Sequence, residues 1–226
     1  YRYYTLRRLS MIIGICGLIG SGKGTVSDHL VNEFGFKKIS FADKLKDAVS
    51  ELFGWDRALL EGDTTESRHW REQQDNFWTN ETGRVITPRL VLQEFGTDCM
   101  RNGFYDGIWV SMVKQTILDN PNTEYVVPDV RFRNEQNVIR ELGGQIWQTK
   151  RGDDPEWFGQ AILDNETGSK LMASYDVHAS EYKWVDSNNK FDSILYNNGT
   201  IEGLRNQVED HLVSNVPLPS ELYVDS

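Results

Sequence analysis

The stretch GLIGSGKGT, Gly17 to Thr25, sets four glycines, a lysine and a threonine directly after the apolar run MIIGIC. Glycines at this density let a backbone curl with its N–H groups pointing inward, forming an anion nest at a helix amino end. Lys23 would reach the β- and γ-phosphates of a nucleotide, and Thr25 would offer its hydroxyl to Mg²⁺. Gly20, Ser21, Gly22, Lys23, Gly24 and Thr25 are therefore the expected phosphate cradle. Lysine is followed by Gly24 before the threonine, the GKGT variant of the pattern.

Three classes of protein use such a loop: nucleotide switches, hydrolytic motors and small-molecule kinases. A switch needs a guanine-reading Asn-Lys-x-Asp after a strand. NKFD (Asn189–Asp192) has the letters but precedes its strand, and no Asp-x-x-Gly occurs, so the match reads as coincidence. A motor needs an acidic pair, one acid for the metal and one to activate water. VVPDVRFRNE supplies Asp129 alone, followed by Arg131 and Arg133. A lone carboxylate past a strand end suits the ordering of Mg²⁺ waters. Transfer to an existing phosphate needs no strong base, because the acceptor oxygen is already ionised. It needs cations that bring two polyanions together. Arg89 fits that demand, since an arginine in a helix's first turn opposes the dipole unless an anion joins it. The kinase reading is favoured.

The elements that position these residues follow from periodicity. Ile12–Cys16 is a strand, and Val26, Leu30 and Phe34 mark a helix that ends at Gly35. KKISFA is a second strand, and Leu45, Ala48, Val49, Leu52 and Phe53 line a helix stopped by Gly54. Residues 56–86 are polar, with Trp70, Phe77 and Trp78 spread through them, and read as a helical insertion on the substrate side. Thr87 caps a helix with Pro88 at its first position, ending at Gly96. Trp109, Met112, Val113 and Ile117 mark another. EYVVPD, QIWQT and DSILY are strands, with a helix at Val138, Ile139 and Leu142 between the first two. Residues 150–190 read as a polar, irregular, mobile flap. Ile201, Leu204, Val208 and Leu212 give the last helix, and 214–226 a tail. The alternation predicts an α/β protein: a five-stranded parallel sheet with helices on both faces and ligands at the strand carboxyl ends.

The chain has 226 residues, enough for one domain with an insertion, and a net charge of −10. That charge argues against a nucleic-acid polymer as partner. No run is long enough to span a bilayer. Cys16 and Cys99 are too few for a disulfide framework, which points to a reducing, cytoplasmic setting. Residues 1–10 carry three arginines and no acid. They are expected to be an upstream extension or cloning remnant, with the kinase domain spanning 11–213.

GLIGSGKGT, SFADKLKDAV, TPRLVLQEFGTD, IWV, YVVPDVRFRNE and DSILYNNGTIEGLRNQV together resemble the deoxynucleoside monophosphate kinases of tailed bacteriophages. The resemblance implies a P-loop kinase fold and transfer of the ATP γ-phosphate to a deoxynucleoside 5′-monophosphate. It implies ATP and Mg²⁺ as cofactors, with metal at Thr25 and Asp129. Lys46, Arg68, Arg89, Gly96, Thr97, Trp109, Arg131 and Glu135 fall where such kinases bind the monophosphate. Lys23, Asp129, Arg131 and Arg151, the last as a lid arginine in TKRGDDPEWF, make up the implied catalytic set. HASE (His178–Glu181) resembles a recurring flap feature, but His178 itself reads as structural. The implied setting is the cytoplasm of an infected host cell, with dNTP supply for phage DNA synthesis as the role. A homodimer is left open. The runners-up are another small-molecule kinase, such as dephospho-coenzyme A kinase, and a non-catalytic nucleotide switch.

Overall fold

The computed structural model describes residues 10–185 and 190–214. The expectations for residues 1–9, for the tail beyond 214 and for Asn189 lie outside the described residues.

The strands β1 (Ile12–Cys16), β2 (Lys37–Lys38), β3 (Tyr125–Val127), β4 (Gln145–Lys150) and β5 (Ser193–Tyr196) form one sheet in the order β2-β3-β1-β4-β5. Every pairing is parallel; Ile13 lies beside Val126 on one side and Gln145 on the other. Strand β1 is central and wholly buried, as an unbroken apolar run in a two-sided sheet must be. Of KKISFA only the two lysines pair as strand, so that expectation was too long.

Helices α1 (Lys23–Phe34) and α10 (Ile201–Ser214) cover one face, where Ile13, Ile15, Val26, Leu30, Trp147, Leu195, Leu204 and Val208 share a core. Helix α7 (Arg133–Glu141) packs on β1 and β4, with Val138 and Ile139 buried. Phe34, expected on the inner face of α1, is exposed and meets His29 edge-on at 5.6 Å. Its position in the last turn, just before Gly35 reverses the chain, takes it off the core.

The chain divides into two compact units, one built up to Lys38 and from Asn122 on, the other from Ile39–Pro121. The sheet belongs to the first. The second contains α2 (Asp43–Phe53), α3 (Thr65–Glu72), α4 (Asn76–Thr82), α5 (Pro88–Gln93) and α6 (Ile108–Asp119). Its own core gathers Val49, Trp55, Leu60, Ile86 and Val91, with Trp70 and Trp78 packed against it. The insertion aromatics are thus packing residues, except Phe77, which is exposed.

Two further expectations are corrected. Thr87 does cap α5, accepting from the Leu90 amide at 3.1 Å, with Pro88 at the first position. The helix does not end at Gly96, however, but continues as a π-helical segment, Glu94–Asn102. Residues 150–185 are not irregular either. They hold α8 (Phe158–Thr167), a 3₁₀ turn (Leu171–Ser174) and α9 (Ala179–Tyr182). Buried Ala161, Met172 and Trp184 anchor them, and the Asn165 amide donates to the carbonyls of Tyr182 and Val185, both at 2.7 Å. Polar surface hid a small apolar interior there.

Candidate active site

The glycine loop lies between β1 and α1. Gly22 sits at the helix amino end with φ of 107°, a left-handed conformation that a side chain would strain. Ser21 is buried; its hydroxyl meets that of Thr149 on β4 at 2.7 Å, and its carbonyl accepts from the Asn197 amide at 3.1 Å. These two contacts fix the loop to the carboxyl ends of β4 and β5. The loop opens into a cavity of about 510 Å³ lined by Gly20, Gly22, Lys23, Gly24 and Thr25 together with Arg151, Asn197, Gly199 and Ile201.

Lys23 donates to the carbonyls of Gly17 at 2.6 Å and Leu18 at 2.8 Å. Burial, and then the nearby Arg131 guanidinium, hold its ammonium below the ordinary lysine range, with Glu181, Cys16 and Asp129 opposing. Lys23, Arg131, Asp129 and Glu181 therefore lie within electrostatic reach of one another. An arrangement of two cations and two carboxylates beside an amide nest is suited to receiving a polyphosphate. Burial also pushes the Cys16 thiol far up, which makes it an inert packing residue.

Arg131 is bracketed from α9. Its Nη1 donates to the Ser180 hydroxyl at 3.1 Å and to Glu181 Oε1 at 3.3 Å. The His178 ring caps α9, accepting from the Ser180 amide at 3.3 Å. Glu135 is buried, and its Oε2 accepts from the backbone amides of Arg131 at 2.7 Å and Phe132 at 3.1 Å. It acts on the loop that carries Arg131. Of the NKFD letters, Asp192 accepts from the Ile146 amide at 2.7 Å and extends the β4–β5 pairing.

Within the Ile39–Pro121 unit, Lys46 is largely buried against Glu61 at 2.6 Å, and Glu61 also pairs with Arg57. Arg68 donates to the Asp63 carbonyl at 3.0 Å from an exposed position. Arg89 is exposed and pairs with Glu72 at 3.0 Å. Trp109 is buried, and its indole N–H donates to the Gly96 carbonyl at 3.0 Å. A Cβ on Gly96 would stand 2.7 Å from Leu45, so its lack of a side chain lets the π-helical segment lie close against α2. Thr97, the next residue, is exposed.

Residues 58–208 match the family described as deoxynucleotide monophosphate kinase. A protein of Acanthamoeba polyphaga mimivirus assigned to that activity is 32% identical over 210 residues, covering 88% of this chain and 94% of its own. The chain belongs to the deoxynucleotide monophosphate kinase family. A deoxynucleoside-5′-monophosphate kinase of Escherichia phage T5 is 38% identical over 56 residues, 25% of this chain and 22% of that one. Among solved structures, dephospho-CoA kinase from Campylobacter jejuni is similar at a TM-score of 0.42 and 16% identity, covering 91% of this chain and 97% of that one.

As a member of the deoxynucleotide monophosphate kinase family, the chain is a phosphotransferase, built on the five-stranded parallel sheet described above. The structure brings Gly20, Gly22, Lys23, Gly24, Thr25 and Arg151 to one cavity and Arg131 and Asp129 into the field of Lys23, while the Ser21 side chain turns away to Thr149. It turns Trp109, Gly96 and Glu135 inward to packing and backbone contacts. Asn197 was missed as a loop contact. Its signal was available, because the Asn197-Asn198-Gly199 turn directly follows a strand, where parallel sheets bind ligands. Glu181 was named only as the end of HASE, and its pairing with Arg131 at 3.3 Å was missed.

Proposed function

We propose that this kinase transfers the γ-phosphate of ATP to a deoxynucleoside 5′-monophosphate, giving ADP and the diphosphate. The observation that carries the reading is the cavity in which the loop amides, Lys23, Thr25 and Arg151 converge, in a chain of this family. The loop and Lys23 hold the donor phosphates. Lys23 leaves the Gly17 and Leu18 carbonyls for the β/γ bridge, and Arg151 and Arg131 neutralise charge on the transferred group. Lys46, Arg68, Arg89 and Thr97 serve the acceptor, while Trp109, Gly96 and Glu135 shape its surroundings. The acceptor phosphate attacks as an anion and needs no base.

Mg²⁺ would be held by the Thr25 hydroxyl and, through its waters, by Asp129. Among the described residues no group of three or more His, Cys, Asp or Glu could form a protein cage for a metal. A sparse donor set fits Mg²⁺, which takes one or two protein ligands and fills its shell with water and substrate phosphates. Bound there, the ion would neutralise charge on the polyphosphate.

Among the described residues no helix is long and apolar enough to cross a membrane. We place the enzyme in the cytoplasm of an infected host cell, supplying precursors for phage DNA synthesis; neither a nucleic-acid polymer nor a membrane enters this chemistry. A coupled assay of ADP release over the common deoxy- and ribonucleoside monophosphates, with dephospho-coenzyme A as a further acceptor, tests the reading. The expected result is ADP release that depends on a deoxynucleoside monophosphate. Slow acceptor-independent hydrolysis would mark a switch instead, and turnover of dephospho-coenzyme A alone would mark the other kinase.

A further inference from the structure

Strand β5 runs into the turn Asn197-Asn198-Gly199, of which Asn197 and Gly199 line the cavity of the glycine loop. The turn is fixed from three sides. From α10, Gln207 Oε1 accepts from the Tyr196 amide and its Nε2 donates to the Tyr196 carbonyl, both at 2.9 Å. From β4, the Lys150 carbonyl accepts from the Asn197 amide at 2.7 Å. From the glycine loop, the Ser21 carbonyl accepts from Asn197 Nδ2 at 3.1 Å. The turn is therefore a fixed platform beside the phosphate cradle.

One contact leaves this platform toward an exposed segment. Asn198 Oδ1 accepts from the Gly152 amide at 2.7 Å, across 46 residues of sequence. Gly152 directly follows Arg151 and turns the chain with φ of 66°, a left-handed conformation that glycine adopts without strain. An asparagine after a strand is ordinarily explained by its own turn. That account does not reach a backbone N–H in another loop. The bond is exposed and adds little to the stability of the fold. What it fixes is the peptide group next to Arg151. The Lys150–Asp154 pair spans the same turn at 2.7 Å, but it is partly exposed and screened, and by itself holds the turn weakly.

Resting on the kinase reading above, we propose that Asn198 is a positioning residue for phosphoryl transfer, holding the Arg151 backbone in place relative to the glycine loop. Adjacent asparagines then tie two walls of the cavity to one platform: Asn197 grips the loop and Asn198 grips the arginine segment. An arginine set in advance loses less freedom when phosphates bind. The gain is largest where charge on the transferred group grows, so it falls on kcat rather than on the fold or the acceptor.

The test uses the full chain: wild type, Asn198→Ala, Asn198→Asp, Arg151→Ala and the double variant Asn198→Ala/Arg151→Ala. Kinetics use ATP and whichever of dTMP, dGMP, dAMP and dCMP wild type turns over fastest. Asn198→Ala is expected to lower kcat about twofold to tenfold, the contribution of one exposed hydrogen bond, with KM for the monophosphate and Tm unchanged. Asn198→Asp keeps an acceptor oxygen in place and recovers most of the lost kcat, while its added charge raises KM for ATP. In the Arg151→Ala background, Asn198→Ala lowers kcat no further. Independently of turnover, the Gly152 amide proton should lose its hydrogen-bonded chemical shift in Asn198→Ala and keep it in Asn198→Asp. Wild-type kcat in Asn198→Ala would overturn the assignment, as would an equal loss in both backgrounds or an unmoved Gly152 resonance. A lowered Tm with kcat lost alike in the alanine and aspartate variants, or an Arg151→Ala enzyme as fast as wild type, overturns it too. Turnover by wild type judges the kinase reading separately. If wild type phosphorylates none of the four, that reading fails and this inference fails with it, even where the Gly152 resonance moves.

Discussion

Lys23 shows what a single residue does here and what it can be made to report. In the free protein its ammonium is satisfied by two loop carbonyls, and burial and Arg131 depress its pKa. A bound polyphosphate adds negative charge beside it and restores the pKa toward the ordinary value of about 10.4. The sign follows directly. At alkaline pH, between the depressed and the restored value, free Lys23 is partly neutral and nucleotide-bound Lys23 is charged, so ATP binding takes up a proton. Calorimetry in buffers of different ionisation enthalpy should show uptake that grows with pH in wild type and vanishes in Lys23→Met. Equal proton uptake in the two proteins would separate Lys23 from the phosphates. The loop was legible because glycine, lysine and threonine at fixed spacing after a strand admit few other uses. The bracket around Arg131 was not. Ser180 and Glu181 are 49 and 50 residues away in sequence, and nothing in their types marks them as its partners.

Elements were legible where one signal dominated. An apolar run made β1, and Thr87 with Pro88 started α5. The π-helical continuation past Gly96 was invisible, because glycine is an ordinary stop signal and the contact that overrides it, with Leu45 on α2, is tertiary. The segment from 150 to 185 was misread for a related reason: its apolar residues are few and face one another rather than the main core. Its helices bear on the lid expectation. Asn165 clamps the far end to Tyr182 and Val185, and the Gln136 amide donates to the Trp184 carbonyl at 3.1 Å, so the segment is tied at α9. Arg151 is exposed at the cavity, and next to it the Gly152 amide donates to the Asn198 side chain at 2.7 Å. Transfer must exclude water, or ATP is lost to hydrolysis. Hydrogen exchange should therefore show new protection near 151–157 and at Ser180–Glu181 when a non-hydrolysable ATP analogue and a monophosphate bind together. The Asn165 clamp should be protected already. No ligand-dependent change in 151–181 would count against a lid.

At the scale of the molecule, an enzyme with net charge −10 handles two polyanions, so its cations act locally. They are divided by chain segment. Lys23, Arg131 and Arg151 belong to the unit that carries the sheet, and Lys46, Arg68 and Arg89 to Ile39–Pro121. If that division is also one of donor and acceptor, substitutions in the two units must separate in kinetics. Lys23→Ala should lower kcat and kcat/KM for both substrates alike, because charge at the β/γ bridge grows in the transition state. Arg89→Ala should instead raise KM for the monophosphate and leave KM for ATP close to wild type. A lost charge-assisted contact costs about 1.5–3 kcal/mol. Arg89 lies at the low end of that range, because it is exposed and already paired with Glu72, so phosphate gains only the difference between two anions. The expected rise is about tenfold. Arg131 should fall between the two patterns: it belongs to the sheet-bearing unit and to the field of Lys23, yet its guanidinium must be released from Glu181 before it can meet either substrate. An Arg89→Ala enzyme that binds ATP poorly and the monophosphate normally would show that the division of the chain is not the division of the chemistry.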